Sequence, residues 1–107
     1  MTTFNDREAA FENKYSRDQE MQFKITARRN RLLGKWASEL MGLTAEEADA
    51  YAKDVVRADF EEAGDEDVVR KLLGDLTSAK VDMDDKRIRA ALEEKTIEAR
   101  RQLMESL

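Results

Sequence analysis

The nearest approach to a chemical site in this chain is a group of carboxylates, Asp82, Asp84 and Asp85, with Glu93 eleven residues after Asp82. A calcium loop places its closing glutamate at that distance. Its fifth and sixth places, however, would be Lys86 and Arg87, where an oxygen ligand and a turn glycine are required. Asp82 or Asp84 reads instead as the cap of a helix, and an acid in the first turn complements the positive end of the helix dipole. The other carboxylates fall on solvated faces, and paired acids transfer protons only where burial or proximity splits their pKa values. Histidine and cysteine are absent, which removes the usual proton carrier at neutral pH, the commonest metal ligands and any disulfide. There is no glycine-rich phosphate loop, nucleophile elbow or metal triad, so the sequence predicts a protein that is not an enzyme, with no catalytic residue, metal or cofactor.

A second pattern could bind without reacting. Lys24, Arg28, Arg31 and Lys35 follow one another at steps of four, three and four, which aligns them along one side of a helix, and no acid lies between Glu20 and Glu39. Either these cations meet the acidic back of a neighbouring helix or the solvent, or they receive an anion: an adenine nucleotide's phosphates or an acidic protein surface. Nucleic acid is not expected, because neither an aromatic platform nor a second basic element reinforces them.

The third pattern is at the N-terminus. Phe4, Phe11 and Tyr15 stand at helical steps of seven and four, with Arg7, Glu8, Glu12, Lys14 and Arg17 interleaved. Three large apolar groups over five turns bury too little to offset chain entropy of about 1 kcal/mol or more per residue, so residues 1–20 are expected to be mobile when the protein is alone. Two readings stay open: a frayed terminus, or a helix that docks in a partner's groove through a few anchors ringed by orienting charges.

The elements that must carry these patterns are helical. The 107 residues include no proline and four glycines, and 40% are charged, which points to one all-α domain with a single modest core. The stretch Met21 to Gly42 is the central helix: Met21, Ile25, Leu32, Trp36 and Leu40 form an apolar stripe, widened by Leu33 and Ala37, and Gly42 stops it. Nothing breaks the chain before Met21, so a helix continuous from about Asn5 is conceivable. Thr44 and Glu47 have capping-box spacing and open a second helix with Ala48, Tyr51, Ala52, Val55, Val56 and Phe60 on its apolar face, ended by Gly64. Asp65 is positioned to cap a third helix, whose face is Val69, Leu72, Leu73 and Leu76. Lys80 and Val81 connect to a fourth, with Ile88, Ala91, Leu92, Ala99 and Leu103 buried. The expectation is a four-helix, bundle-like domain over residues 21–107 with a mobile or extended N-terminal segment over 1–20. The formal net charge of −5 conceals an uneven spread: ten acids against two bases from Glu46 to Asp67, but five bases and no acid from Lys24 to Lys35. No apolar run is long enough to span a bilayer and no secretion signal opens the chain, so a cytoplasmic protein is expected.

Three stretches, MTTFNDREAAFENKY, FKITARRNRLLGKWASELMGL and VVRADFEEAGDEDVVRKLLGDL, together resemble the zeta subunit family of alphaproteobacterial ATP synthases. The resemblance covers nearly the whole chain. It implies a small four-helix protein that binds the catalytic head of the membrane-bound synthase and inhibits ATP hydrolysis, a monomer when free and peripheral to the membrane when bound. It further implies that the N-terminal segment carries the inhibition, entering a crevice between catalytic subunits beside the rotating shaft, with Phe4, Arg7, Glu8, Phe11, Lys14 and Tyr15 as contacts. The other functions compatible with the residues are a small adenine-nucleotide-binding module and a general protein-interaction module.

Overall fold

The computed structural model describes the backbone of residues 3–59 and 64–106, and the side chains of residues 19–59 and 64–106. Four helices follow in order: α1 (Thr3–Met41), α2 (Ala45–Ala58), α3 (Glu66–Ser78) and α4 (Asp85–Glu105). There is no strand among the described residues. At 1.5 Å per residue α1 is about 58 Å long, and it sets the long axis of a molecule measuring 66 × 26 × 21 Å. The three shorter helices gather around it. α1 touches all of them, α3 bridges α2 and α4, and α2 and α4 flank α1 without approaching each other among the described residues.

Local chemistry explains each boundary. Gly42 ends α1 with φ +72°, the left-handed geometry that costs glycine least. The capping box at α2 is complete: the Thr44 amide donates to Glu47 Oε1 at 2.9 Å, and the Glu47 amide donates to Thr44 Oγ1 at 3.2 Å. That backbone donation from Thr44, with the Thr44 hydroxyl, holds the Glu47 carboxyl below its ordinary range. The described part of α2 ends earlier than the glycine signal predicts, at Ala58 with Asp59 as its C-cap, and Gly64 takes φ +90° just before α3. Asp84, not Asp82, caps α4: its Oδ1 accepts the Arg87 amide at 2.8 Å, and this backbone bond lowers its pKa.

The core joins all four helices through Leu33 and Ala37, Val55, Val68, Val69, Leu72 and Leu76, and Ile88 and Ala91. Trp36 is only half-buried, packed against this cluster. Burying each large aliphatic side chain contributes about 2–3 kcal/mol relative to leaving it in water. α1 and α2 cross closely at Gly34. A Cβ on Gly34 would stand 2.5 Å from the Ala52 Cα, a separation real side chains do not show. Only glycine fits there.

The buried face of α1 differs from the expected apolar stripe. Its rows are Ile25, Arg29, Leu33 and Ala37 beside Asn30, Gly34 and Ser38, whereas Leu40, expected within the stripe, is 44% exposed. The cause is that α1 is gripped by α2 along a row of polar and small residues, which a search for large apolar groups passes over. In α2, Ala52 and Val55 are buried while Ala48, Tyr51 and Val56 are half-buried; Phe60 lies outside the described residues. The Tyr51 hydroxyl donates to Asp75 Oδ2 at 2.7 Å, and burial, aided by that carboxylate, pushes the phenol above its ordinary pKa and keeps it neutral.

Candidate functional site

Two sets of residues stood out in the sequence. The backbone of α1 passes through the first, but the side chains of Phe4, Arg7, Glu8, Phe11, Lys14 and Tyr15 lie outside the described residues. The second set, Lys24, Arg28, Arg31 and Lys35, is brought together on one side of α1, where helix periodicity places it.

Along the seam between α1 and α4, Arg28, Arg31 and Lys35 line a depression of about 270 Å³ with Leu32 and Gln102. A neighbouring hollow of about 300 Å³ is lined by Phe23, Lys24, Ala27, Arg28, Arg31 and Leu103. On the other flank Arg31 shares a hollow of about 380 Å³ with Lys53, Val56 and Arg57 of α2. Arg31 therefore stands at the junction of three concave surfaces. Arg28 is half-buried and donates to Gln102 Oε1 at 3.4 Å, and Lys24 pairs with Glu20 at 3.5 Å. Arg31 and Lys35 are exposed and form no ion pair with any described residue.

One open alternative was that this basic edge meets the acidic back of α2. It does not. The nearby acids of α2 are engaged within their own helix, Asp49 with Lys53 at 3.6 Å and Asp54 with Arg57 at 3.7 Å. What the acidic stretch does engage is Arg29, which is 6% exposed. Its Nε and Nη2 donate to Asn30 Oδ1 at 3.1 and 2.9 Å, its Nη1 pairs with Asp65 at 3.0 Å, and its Nη2 lies 3.9 Å from Asp59. Arg29 thus ties both ends of the α2–α3 connection to α1. This pull also explains why Asp65, although it occupies the N-cap position of α3, makes no side-chain capping bond. In the sequence Arg29 is one cation among five; what sets it apart is its place four residues from both Ile25 and Leu33, on the buried row.

Nothing in these surfaces resembles a reaction centre. Among the described residues no group of histidine, cysteine, aspartate or glutamate could hold a metal ion. Asp85 accepts from Arg89 Nε at 2.6 Å and Asp82 pairs with Arg87 at 3.6 Å, so the aspartates that mimic a calcium loop are engaged with arginines of α4. Asp67, in the first turn of α3, is buried; its Oδ1 accepts from Arg70 at 3.2 Å, while its Oδ2 has no hydrogen-bond partner. No described helix is long and apolar enough to cross a membrane.

The family model described as ATPase inhibitor subunit zeta matches residues 1–102. Among solved structures, one determined by solution NMR is 50% identical, covering 81% of this chain and 99% of its own, with a TM-score of 0.72. No curated protein matches the chain significantly.

Proposed function

The chain belongs to the ATPase inhibitor subunit zeta family, and we propose that it inhibits ATP hydrolysis by the catalytic head of an alphaproteobacterial ATP synthase, without any chemistry of its own. Residues 1–20 are the inhibitory segment. They enter a crevice between catalytic subunits beside the shaft as a helix, with Phe4, Phe11 and Tyr15 as anchors and Arg7, Glu8 and Lys14 as orienting charges. A few large aromatic anchors in a desolvated groove supply most of the binding energy of such a helix. The wedge blocks rotation in the hydrolysis direction. The bundle stays outside the crevice and sets the angle of entry, which places the protein on the cytoplasmic side, peripheral to the membrane.

One observation carries this reading. α1 is a single helix from Thr3 to Met41, and among its described side chains, which begin at residue 19, the first to be buried is Ile25. The helical backbone that runs ahead of that side chain is long enough to be presented to a partner's groove. The test is ATP hydrolysis by the isolated catalytic head of the cognate synthase, with the full chain and with a chain lacking residues 1–19. Inhibition by the first and its loss with the second is the expected result; equal inhibition by both would move the active element into the bundle.

A further inference from the structure

Building on that inhibitory role, we propose that the basic surface centred on Arg31 is a second, separate docking site, which seats the bundle on an acidic, partly apolar protein segment of the catalytic head. Four observations favour this occupant.

First, Arg31 and Lys35 are exposed cations left without a carboxylate by any described residue of α1, α2 or α4, in a chain whose net charge is −5. Acids were available within the fold. Asp49 and Asp54 of α2 are held by Lys53 and Arg57, Glu47 by the Thr44 cap, Asp59 and Asp65 lie at Arg29, and Glu98 of α4 pairs with Lys95 at 3.3 Å. Second, the cations form a row. Lys24 to Lys35 covers about 16 Å of helix, which suits several carboxylates along a strand or helix better than one compact phosphate group. Third, the hollows beside the row are not purely ionic: Leu32 and Leu103 line those on the α4 side, and Val56 lines the one on the α2 side. A partner whose acids alternate with apolar side chains fills both kinds of surface, whereas a nucleic-acid backbone uses only the charges. Fourth, Arg31 lies at the meeting point of all three hollows, so its guanidinium can serve a bidentate carboxylate contact from either side.

Two sites on one chain act together. Once the bundle is seated, insertion of the N-terminal segment becomes effectively intramolecular, and the combined affinity exceeds that of either site.

The experiment measures binding of the full chain to the catalytic head, purified without this subunit, at low and at moderate salt. Three variants accompany it: Arg31→Glu/Lys35→Glu, the milder Arg31→Gln/Lys35→Gln, and the control Lys86→Glu, which reverses an exposed charge on α4. Circular dichroism confirms that each is folded. We expect the double reversal to raise Kd about tenfold or more and to flatten the salt dependence, the glutamine pair to do so by less, and the control to change little. The chain lacking residues 1–19 should still bind the head, weakly and in a salt-dependent way, without inhibiting it. Unchanged Kd for the double reversal would overturn the proposal, as would an equal loss with Lys86→Glu. If ATP or inorganic phosphate at sub-millimolar concentration shifted the amide signals of Arg28, Arg31 and Lys35 while the affinity for the head stayed unchanged with that site filled, the surface would be a phosphate site and the protein partner would be excluded. Failure of the unaltered chain to bind the head at all would overturn the inhibitory role itself, a result distinct from the others.

Discussion

Arg29 and Arg31 are two residues apart on the same helix, and they have opposite fates. Arg29 faces α2 and the start of α3, is 6% exposed, and is held by Asn30 and Asp65 with Asp59 nearby. Arg31, nearly on the opposite side of α1, is exposed and unpaired among the described residues. The 200° rotation between positions i and i+2 in a helix is the whole cause. On one side Asp59 and Asp65 close over the guanidinium; on the other, α4 offers a glutamine and a leucine. A basic helix therefore divides into a side that holds the fold and a side left for something outside it. Residue type alone does not say which is which.

Removing Arg29 should break that division most severely. Arg29→Ala leaves the buried Asn30 side-chain carbonyl without its donors and takes the cation from Asp59 and Asp65, of which Asp65 is 45% exposed and stays solvated; an unsatisfied buried acceptor together with lost packing costs about 2 kcal/mol, so thermal melting should show a clear drop, with the α2–α3 connection losing hydrogen-exchange protection first. Gly34→Ala tests the same side by geometry and not charge. The new methyl group meets the Ala52 backbone, and we expect about 1–2 kcal/mol of destabilisation in urea titration, the overpacking outweighing roughly 1 kcal/mol of helix propensity gained. Arg31→Ala sharpens the comparison from the other side. Its stability should stay within about 0.5 kcal/mol of the parent. A melt as damaged as that of Arg29→Ala would mean that both sides of α1 hold the fold and that Arg31 is not reserved for a partner.

The fold was legible wherever the chain states its instructions locally. Thr44 with Glu47 and Gly42 behave as their spacing predicts, and the apolar faces of α3 and α4 do so in the main: Val69, Leu72, Leu76, Ile88, Ala91 and Ala99 are buried, whereas Leu73, Leu92 and Leu103 are half-buried and Val68 is buried beside the expected face. Legibility failed on the α2-facing side of α1, because burial there is carried by Arg29, Asn30, Gly34 and Ser38, residues that hydrophobicity scores as surface. Asp65 illustrates the same limit: its cap position could be read, but the competing guanidinium comes from a residue 36 positions earlier and is visible only in three dimensions. Of the candidate sites, the basic row could be read because helix periodicity places it, whereas its three adjoining hollows could not, since each needs a second helix to form a wall.

Trp36 has an optical consequence. It is the single tryptophan of the chain, half-buried against the core and one residue from Lys35. Excited selectively, its indole emits from one known place in the molecule, so a red shift reports more water reaching that part of the bundle. Since residues 1–20 contain no tryptophan, events confined to them leave that emission dark to view, while a macromolecule settling over Lys35 would alter its colour or its accessibility to dissolved quenchers. The chain carries its own dye, placed to distinguish the two ends of its longest helix.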